Sequence, residues 1–503
     1  MVSIDRINSR KIILVQMDQL NNKEKQIKNS AIYMLPVLIG NALPLVTLPI
    51  LTRILSPEAY GVLGLAQIYV FFVSGIANFG LTVGYERNFF EYKAKSNGAG
   101  LLYSTVLFVT FTFIFCGIIT FLFKNQLSHW IIGSTEYADI LFWSYCAGGI
   151  AGLKIYYLTY FKNSENAKLF ALYTIDENLL GVIFSLFFVV YLGVGVIGLV
   201  WGPFLASSII FIALTFRFIR FLPFSLDNNA LKESLKLSLP LTPRMFFGVI
   251  GNQFDKYLIG LMNTVGGVGI YSIGQKIGYI VFTFMTAIQN VYSPKVYSKM
   301  FELGKEGGES IGRYLSPFLY LSVSIALLVS LFAEEVISIL TPKSYHDAIE
   351  IVSIFSMLYA TYFFSKQPQL IYAKKTYISS LLTFLSIGLN ILINVPFIMK
   401  WGVIGAVWGT FLSGLISGTV MFLVSRHYYK IHYEYGKVAL IYGIFFGSVM
   451  TIIVLRYFEF PYMMQLLVKM MSLFIYTYLG VALNILSKEN YNMIKGMLNV
   501  THK

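Results

Sequence analysis

The chain has 503 residues, 56% of them hydrophobic and only 12% charged, with a mean hydropathy of +0.69. Roughly a quarter of an ordinary soluble domain is charged, so this composition excludes a fold that covers itself with polar surface. The formal net charge is +14, but the basic residues sit in short segments between apolar runs, which reads as membrane topology and not as nucleic-acid binding.

Residues 1–28 are polar and mixed in charge, and no cleavable signal peptide is expected there. Met17 opens a shorter start, MDQLNNKEKQIKNS, and translation is expected to begin there; an intact mass that includes residues 1–16 would refute this. The rival reading is an interfacial segment at residues 4–20.

Apolar runs then follow at 31–51, 62–84, 101–123, 138–160, 169–192, 195–216, 237–262, 268–291, 314–333, 348–372, 377–399, 402–425, 438–456 and 462–484. Each is continuous, not alternating, and long enough to cross about 30 Å of hydrocarbon as a helix. The expected fold is therefore all-α, a polytopic membrane protein of about 14 transmembrane helices. Pro36, Pro44 and Pro49 should break the first span, and Pro240 and Pro243 should make the start of the seventh irregular.

The connections test this count. Of the 38 Lys and Arg, 27 fall in segments 1–30, 85–100, 161–168, 217–236, 292–313, 373–376, 426–437 and 485–503. The alternate segments hold five: Arg53, Lys124, Lys343, Lys400 and Arg456. A miscounted helix would invert every later loop, so the contrast places both termini in the cytoplasm. The longest connection, 292–313, is too short for a soluble domain. No Walker A motif, HExxH pair or nucleophile elbow is read, and no catalytic residue, cofactor or metal site is expected. Cys116 and Cys146 each lie inside an apolar run and read as small buried hydrophobes.

The sequence repeats itself. GVIGLVWGPFL at Gly195–Leu205 and GVIGAVWGTFL at Gly402–Leu412 share nine of eleven residues at an offset of 207, and Gly61 and Gly269 echo one another at 208. Both copies enter spans from the same side, so the repeat is parallel. It implies two pseudo-symmetric lobes around a central cavity: an N-lobe at 31–225, a C-lobe at 226–430, and two further helices with a cytoplasmic tail at 431–503.

Four segments carry a family resemblance. PLVTLPILTRILSPEAYG at Pro44–Gly61, NFGLTVGYER at Asn78–Arg87, the stretch Leu239–Tyr271 with its LPLTP and DKYLIG, and NILINVPFIMKWGVIGAVWGTFLSG at Asn390–Gly414 together resemble the polysaccharide repeat-unit flippases. These belong to the multidrug/oligosaccharidyl-lipid/polysaccharide exporter superfamily. The resemblance runs from about residue 30 to residue 430. It implies flipping of undecaprenyl-pyrophosphate-linked oligosaccharides across the bacterial cytoplasmic membrane for O-antigen, capsule or exopolysaccharide assembly. Membrane lipid, a polysaccharide polymerase and chain-length proteins are the implied partners.

A pyrophosphate needs fixed cations along its route. Six basic residues lie within spans: Lys154, Arg244, Lys256, Lys276, Lys366 and Lys469, each costing roughly 2.5–3.5 kcal/mol at a helix centre on insertion scales. The expected substrate-binding set is Arg53, Arg87, Lys154, Arg244, Lys276 and Lys366, spread over successive depths. Lys154 can instead pair with Asp176 or Glu177, and Lys469 reads as snorkelling. Arg244, Gly248, Gly251 and Asp255 share one stripe of the seventh helix, which serves either the cavity or a packing seam. Asp255 is the candidate for the coupling ion, proton or sodium. The alternatives are a multidrug cation exporter, a lipid II flippase of the same fold, and a membrane polymerase or glycosyltransferase. Buried cations that outnumber buried acids count against the first, and short outer loops against the last.

Overall fold

The structure, a computed structural model, describes residues 29, 32–92, 98–364, 368–487 and 490, and the backbone alone at 241, 243–250, 252 and 376. Every regular element among the described residues is helical. Ten helical stretches are long and apolar enough to cross a membrane. Two of them, Val265–Leu331 and Tyr377–Tyr428, each contain two of the runs read from sequence. The runs at 138–160 and 237–262 lie on helices outside those ten. The chain is a multi-pass membrane protein because long apolar helices satisfy their own backbone hydrogen bonds where lipid offers none.

In chain order the helices that position the site are α1 (Ile32–Ile54), α2 (Pro57–Asn78), α3 (Leu81–Tyr92), α4 (Ala99–Leu122), α5 (Lys124–Ile131), α6 (Ala138–Asn163), α7 (Ala167–Leu186) and α8 (Gly198–Phe221). Then come α9 (Asn228–Ser238), α10 (Thr242–Met262), α11 (Val265–Leu303), α12 (Gly307–Leu331), α13 (Ala333–Leu340), α14 (Ala348–Thr361), α15 (Pro368–Tyr372), α16 (Thr376–Tyr428), α17 (Tyr435–Tyr457) and α18 (Tyr462–Ala482). Two sequence expectations need correction. Helix α1 runs unbroken through Pro36, Pro44 and Pro49; Thr47 and Thr52 donate their hydroxyls to backbone carbonyls a turn earlier. The segment 292–313 is not a loop: α11 continues to Leu303 and α12 starts at Gly307. Helix α10 starts irregularly, as its prolines dictate, behind a 3₁₀ turn at Leu239–Leu241.

The repeated GVIG motif makes two matching hairpins. Gly195 and Gly402, offset by 207, both hold positive φ, 73° and 58°, which glycine adopts at no steric cost. At Gly402 the chain reverses within α16, so the halves lie antiparallel. One turn on, the second copy's Gly405 and Gly409 face Phe397 and Asn394, while Gly198 and Gly202 face Val189 and Ser185. A Cβ at Gly202 would lie 2.6 Å from the Ser185 nitrogen, and one at Gly405 2.0 Å from the Phe397 carbonyl oxygen. Small residues let helix backbones approach this closely.

The last two helices are fastened at both ends. At one end the linker before α17 crosses the first turns of α12. His432 donates its backbone N–H to the Gly308 carbonyl (3.1 Å), Tyr429 donates to Gly304 (2.6 Å), and Ser316 donates to Glu434 (2.5 Å). At the other end Lys469 of α18, fully buried, meets Glu335 (2.7 Å) and Glu334 (3.6 Å) of α13. Arg456 of α17 joins Glu334 at 2.9 Å. Lys469 does not snorkel, because carboxylates at the start of α13 reach it inside the bundle. Between these ends Tyr320 and Tyr476 stack at 4.7 Å, each hydroxyl donating to the other's carbonyl.

Candidate substrate cavity

Helices α1, α2, α10, α11, α14 and α16 line a cavity of 620 Å³. Its polar lining includes Gln67, Gln253, Gln275, Lys256, Lys276 and Tyr279. Neither lysine forms an ion pair among the described residues. An uncompensated ammonium inside a membrane bundle is costly unless water or an anion meets it, so the lysines define where a negative group would sit. The amides and phenols add donors and acceptors of the kind that read hydroxyl groups.

Asp255 borders the same cavity but turns its carboxylate between helices. It accepts hydrogen bonds from Tyr271 of α11 (2.9 Å), Asn394 of the first half of α16 (2.6 Å) and Thr410 of the second half (2.9 Å). The residue is 6% exposed, Asn394 is fully buried, and the Asn394 Oδ1 has no partner. Three neutral donors therefore hold the carboxylate, with the Lys256 charge nearby but not bonded to it, and a spare amide oxygen alongside. Gly251, one turn earlier, packs on Ile387 of α16, so this part of the α10 stripe is a packing seam as well as a cavity wall.

The remaining predicted residues scatter. Lys276 and Asp255 come together at the cavity. Lys154 pairs with Glu177, to which Ser207 also donates (2.5 Å), inside the bundle of α6, α7 and α8. Arg53 is exposed at the end of α1 and bonds the Pro49 carbonyl. Arg87 is exposed on α3, paired with Glu91. The side chain of Arg244 and the whole of Lys366 lie outside the described residues. Sequence reasoning left Lys256, Gln67, Gln253 and Gln275 out of the expected set. Two signals pointed to some of them: Lys256 is one of the six basic residues within spans, and Gln67 and Gln275 are related by the same 208-residue offset as Gly61 and Gly269.

The letters Gly308–Glu309–Ser310–Ile311–Gly312 do fit the GxSxG pattern. They lie inside α12, with Ser310 bonded to Lys299 (2.7 Å) and Gly312 against the α16–α17 linker. A nucleophile elbow needs a strand-to-helix turn, so this is a packing motif.

Residues 27–297, just over half of the chain, match the family model described as polysaccharide biosynthesis protein. The chain belongs to this family. No curated protein matches the sequence. Among solved structures, the lipid II flippase MurJ in an inward closed conformation aligns with a TM-score of 0.65 at 15% identity, over 90% of this chain and 98% of that one. An inward-facing multidrug resistance MATE family transporter of the MOP superfamily aligns with a TM-score of 0.60 at 14% identity, over 78% and 97%. This member of the polysaccharide biosynthesis family thus has the MOP-superfamily transporter fold.

Proposed function

We propose that the protein flips an undecaprenyl-pyrophosphate-linked oligosaccharide from the inner to the outer face of the bacterial cytoplasmic membrane. The observation that carries this reading is the pair of lysines, Lys256 and Lys276, without an ion-pair partner among the described residues, in a cavity whose other polar lining includes amides and phenols. The pyrophosphate sits at the lysines, the sugars among the amides, and the polyprenyl tail stays in lipid. Arg244, eleven residues before Asp255 on α10 and so roughly 16 Å along its axis, and Lys366 extend the cationic route. Asp255, with Asn394 and Thr410, takes the coupling proton or sodium ion. Two lobes, 31–225 and 226–430, rock about the cavity, and both termini face the cytoplasm. A multidrug cation exporter would turn free carboxylates to the cavity. Here the carboxylate is engaged by three donors and the free charges are positive.

The test is flipping in proteoliposomes with a fluorescent undecaprenyl-pyrophosphate oligosaccharide and an impermeant quencher. Protein-dependent exposure of the label that falls at least tenfold in Lys256→Gln/Lys276→Gln supports the reading. Exposure unchanged in that variant removes the lysines from the route. No exposure with several sugars, but exposure of labelled lipid II, transfers the assignment to that substrate.

A further inference from the structure

We propose that the crossing of α2 and α11 at Gly61 and Gly269 is the outer gate of the cavity, latched by Tyr345 and Thr52. The word outer rests on the orientation in the proposed function; the gate itself rests on geometry.

The crossing is reciprocal. A Cβ at Gly61 would lie 1.8 Å from the carbonyl oxygen of Val265, and a Cβ at Gly269 would lie 1.9 Å from that of Pro57. Val265 stands four residues before Gly269, and Pro57 four before Gly61. The same contact is therefore made twice, once from each copy of the repeat, as a two-fold axis between the helices requires. Two further pairs share the 208-residue offset. Gly64 meets Ser272 in close packing, with 3.3 Å from a Cβ at Gly64 to the Ser272 Oγ. Gln67 and Gln275 both line the cavity. Six residues separate Gly61 from Gln67, about 9 Å of helix. The cavity thus lies on the axis directly beneath a crossing that only glycine allows.

A ligand in this cavity can leave past the crossing only if α2 separates from α11, since both helices line its wall. At the two glycines backbone faces backbone, with the Val265 and Val268 side chains alongside Gly61 and Gly64. Two hydroxyls hold the closed form, each satisfying the carbonyl left without a helical partner where a helix ends on the opposite side. Tyr345, fully buried in the connection after α13, donates to Leu55 just beyond α1 (2.7 Å). Thr52 of α1 shares its single hydroxyl proton between Leu48 of its own helix (2.8 Å) and Leu340, the last residue of α13 (3.1 Å). Tyr60 of α2 packs edge-on against the Tyr345 ring at 6.0 Å.

The experiment uses the full chain in proteoliposomes, with Cys116→Ser and Cys146→Ser as background. In the first arm Gln67→Cys is labelled from outside with an impermeant maleimide. Slow labelling that rises at least tenfold on adding Tyr345→Phe and Gly61→Val is expected. Fast labelling without those changes, or no rise with them in protein that elutes as a single species, overturns the gate. In the second arm Gly64→Cys/Ser272→Cys is oxidised. A disulfide that stops flipping and releases it on reduction is expected; a cross-linked protein that flips at the reduced rate overturns it. The labelling arm needs no substrate. If labelling behaves as expected and no oligosaccharide lipid is flipped, the proposed function fails and the gate stands.

Discussion

Two buried charges show how environment divides residues of similar sequence context. Lys154 and Lys276 both interrupt apolar helices, yet Lys154 is neutralised by Glu177, while Lys276 opens into the cavity. Removing one partner of a buried pair costs about 3–5 kcal/mol, because it strands the other charge. Lys154→Met should therefore lower the thermal midpoint of the detergent-solubilised protein markedly, and adding Glu177→Gln should restore most of it. A role for Lys154 in the substrate route predicts instead that the double variant, though stable, no longer flips. Asp255 behaves differently again. Its three hydrogen-bond donors are neutral, so Asp255→Asn should fold and yet lose any dependence of transport on a proton or sodium gradient. Retained gradient dependence in that variant would remove Asp255 from coupling.

At the scale of elements, the glycines of α12 decide how the last two helices attach. A Cβ at Gly312 would lie 1.9 Å from the His432 carbonyl oxygen. Gly312→Ala should therefore cost about 1–3 kcal/mol by overpacking and expose the α16–α17 linker to limited proteolysis before the rest of the chain. The opposite end is an acid-sensitive clasp. Burial raises the Glu335 carboxyl, but the hydrogen bonds from Lys469, the Glu335 backbone and Tyr462, together with the Lys469 charge, outweigh it, so the group titrates below its ordinary value of 4.5. A depressed carboxyl stabilises the fold above the unfolded value, and that contribution is lost as pH falls through the folded one. The thermal midpoint of the parent should thus drop more steeply than that of Glu335→Gln as pH falls below the ordinary value of 4.5; parallel profiles would show that the clasp contributes nothing.

On the scale of the whole molecule, the sequence by itself determined the solvent and the element type. Long apolar runs with few charges can only be membrane helices, and every run read from the chain falls largely on helix. The repeat at Gly195 and Gly402 was equally legible, because a hairpin tip with positive φ and a close backbone approach demand glycine at fixed positions wherever they occur. Charge was legible only as a list of residues. Whether a lysine in a helix meets a carboxylate, as Lys154 and Lys469 do, or a cavity, as Lys256 and Lys276 do, depends on which helix packs beside it. For Lys154 the partner lies on the next helix and was legible as a candidate, but elsewhere the choice is made by contacts between residues more than a hundred positions apart, such as Lys469 with Glu335 or Asn394 with Asp255. Local periodicity carries no record of such pairings, so only the tertiary structure decided which charges are spent on the fold and which are left for a ligand.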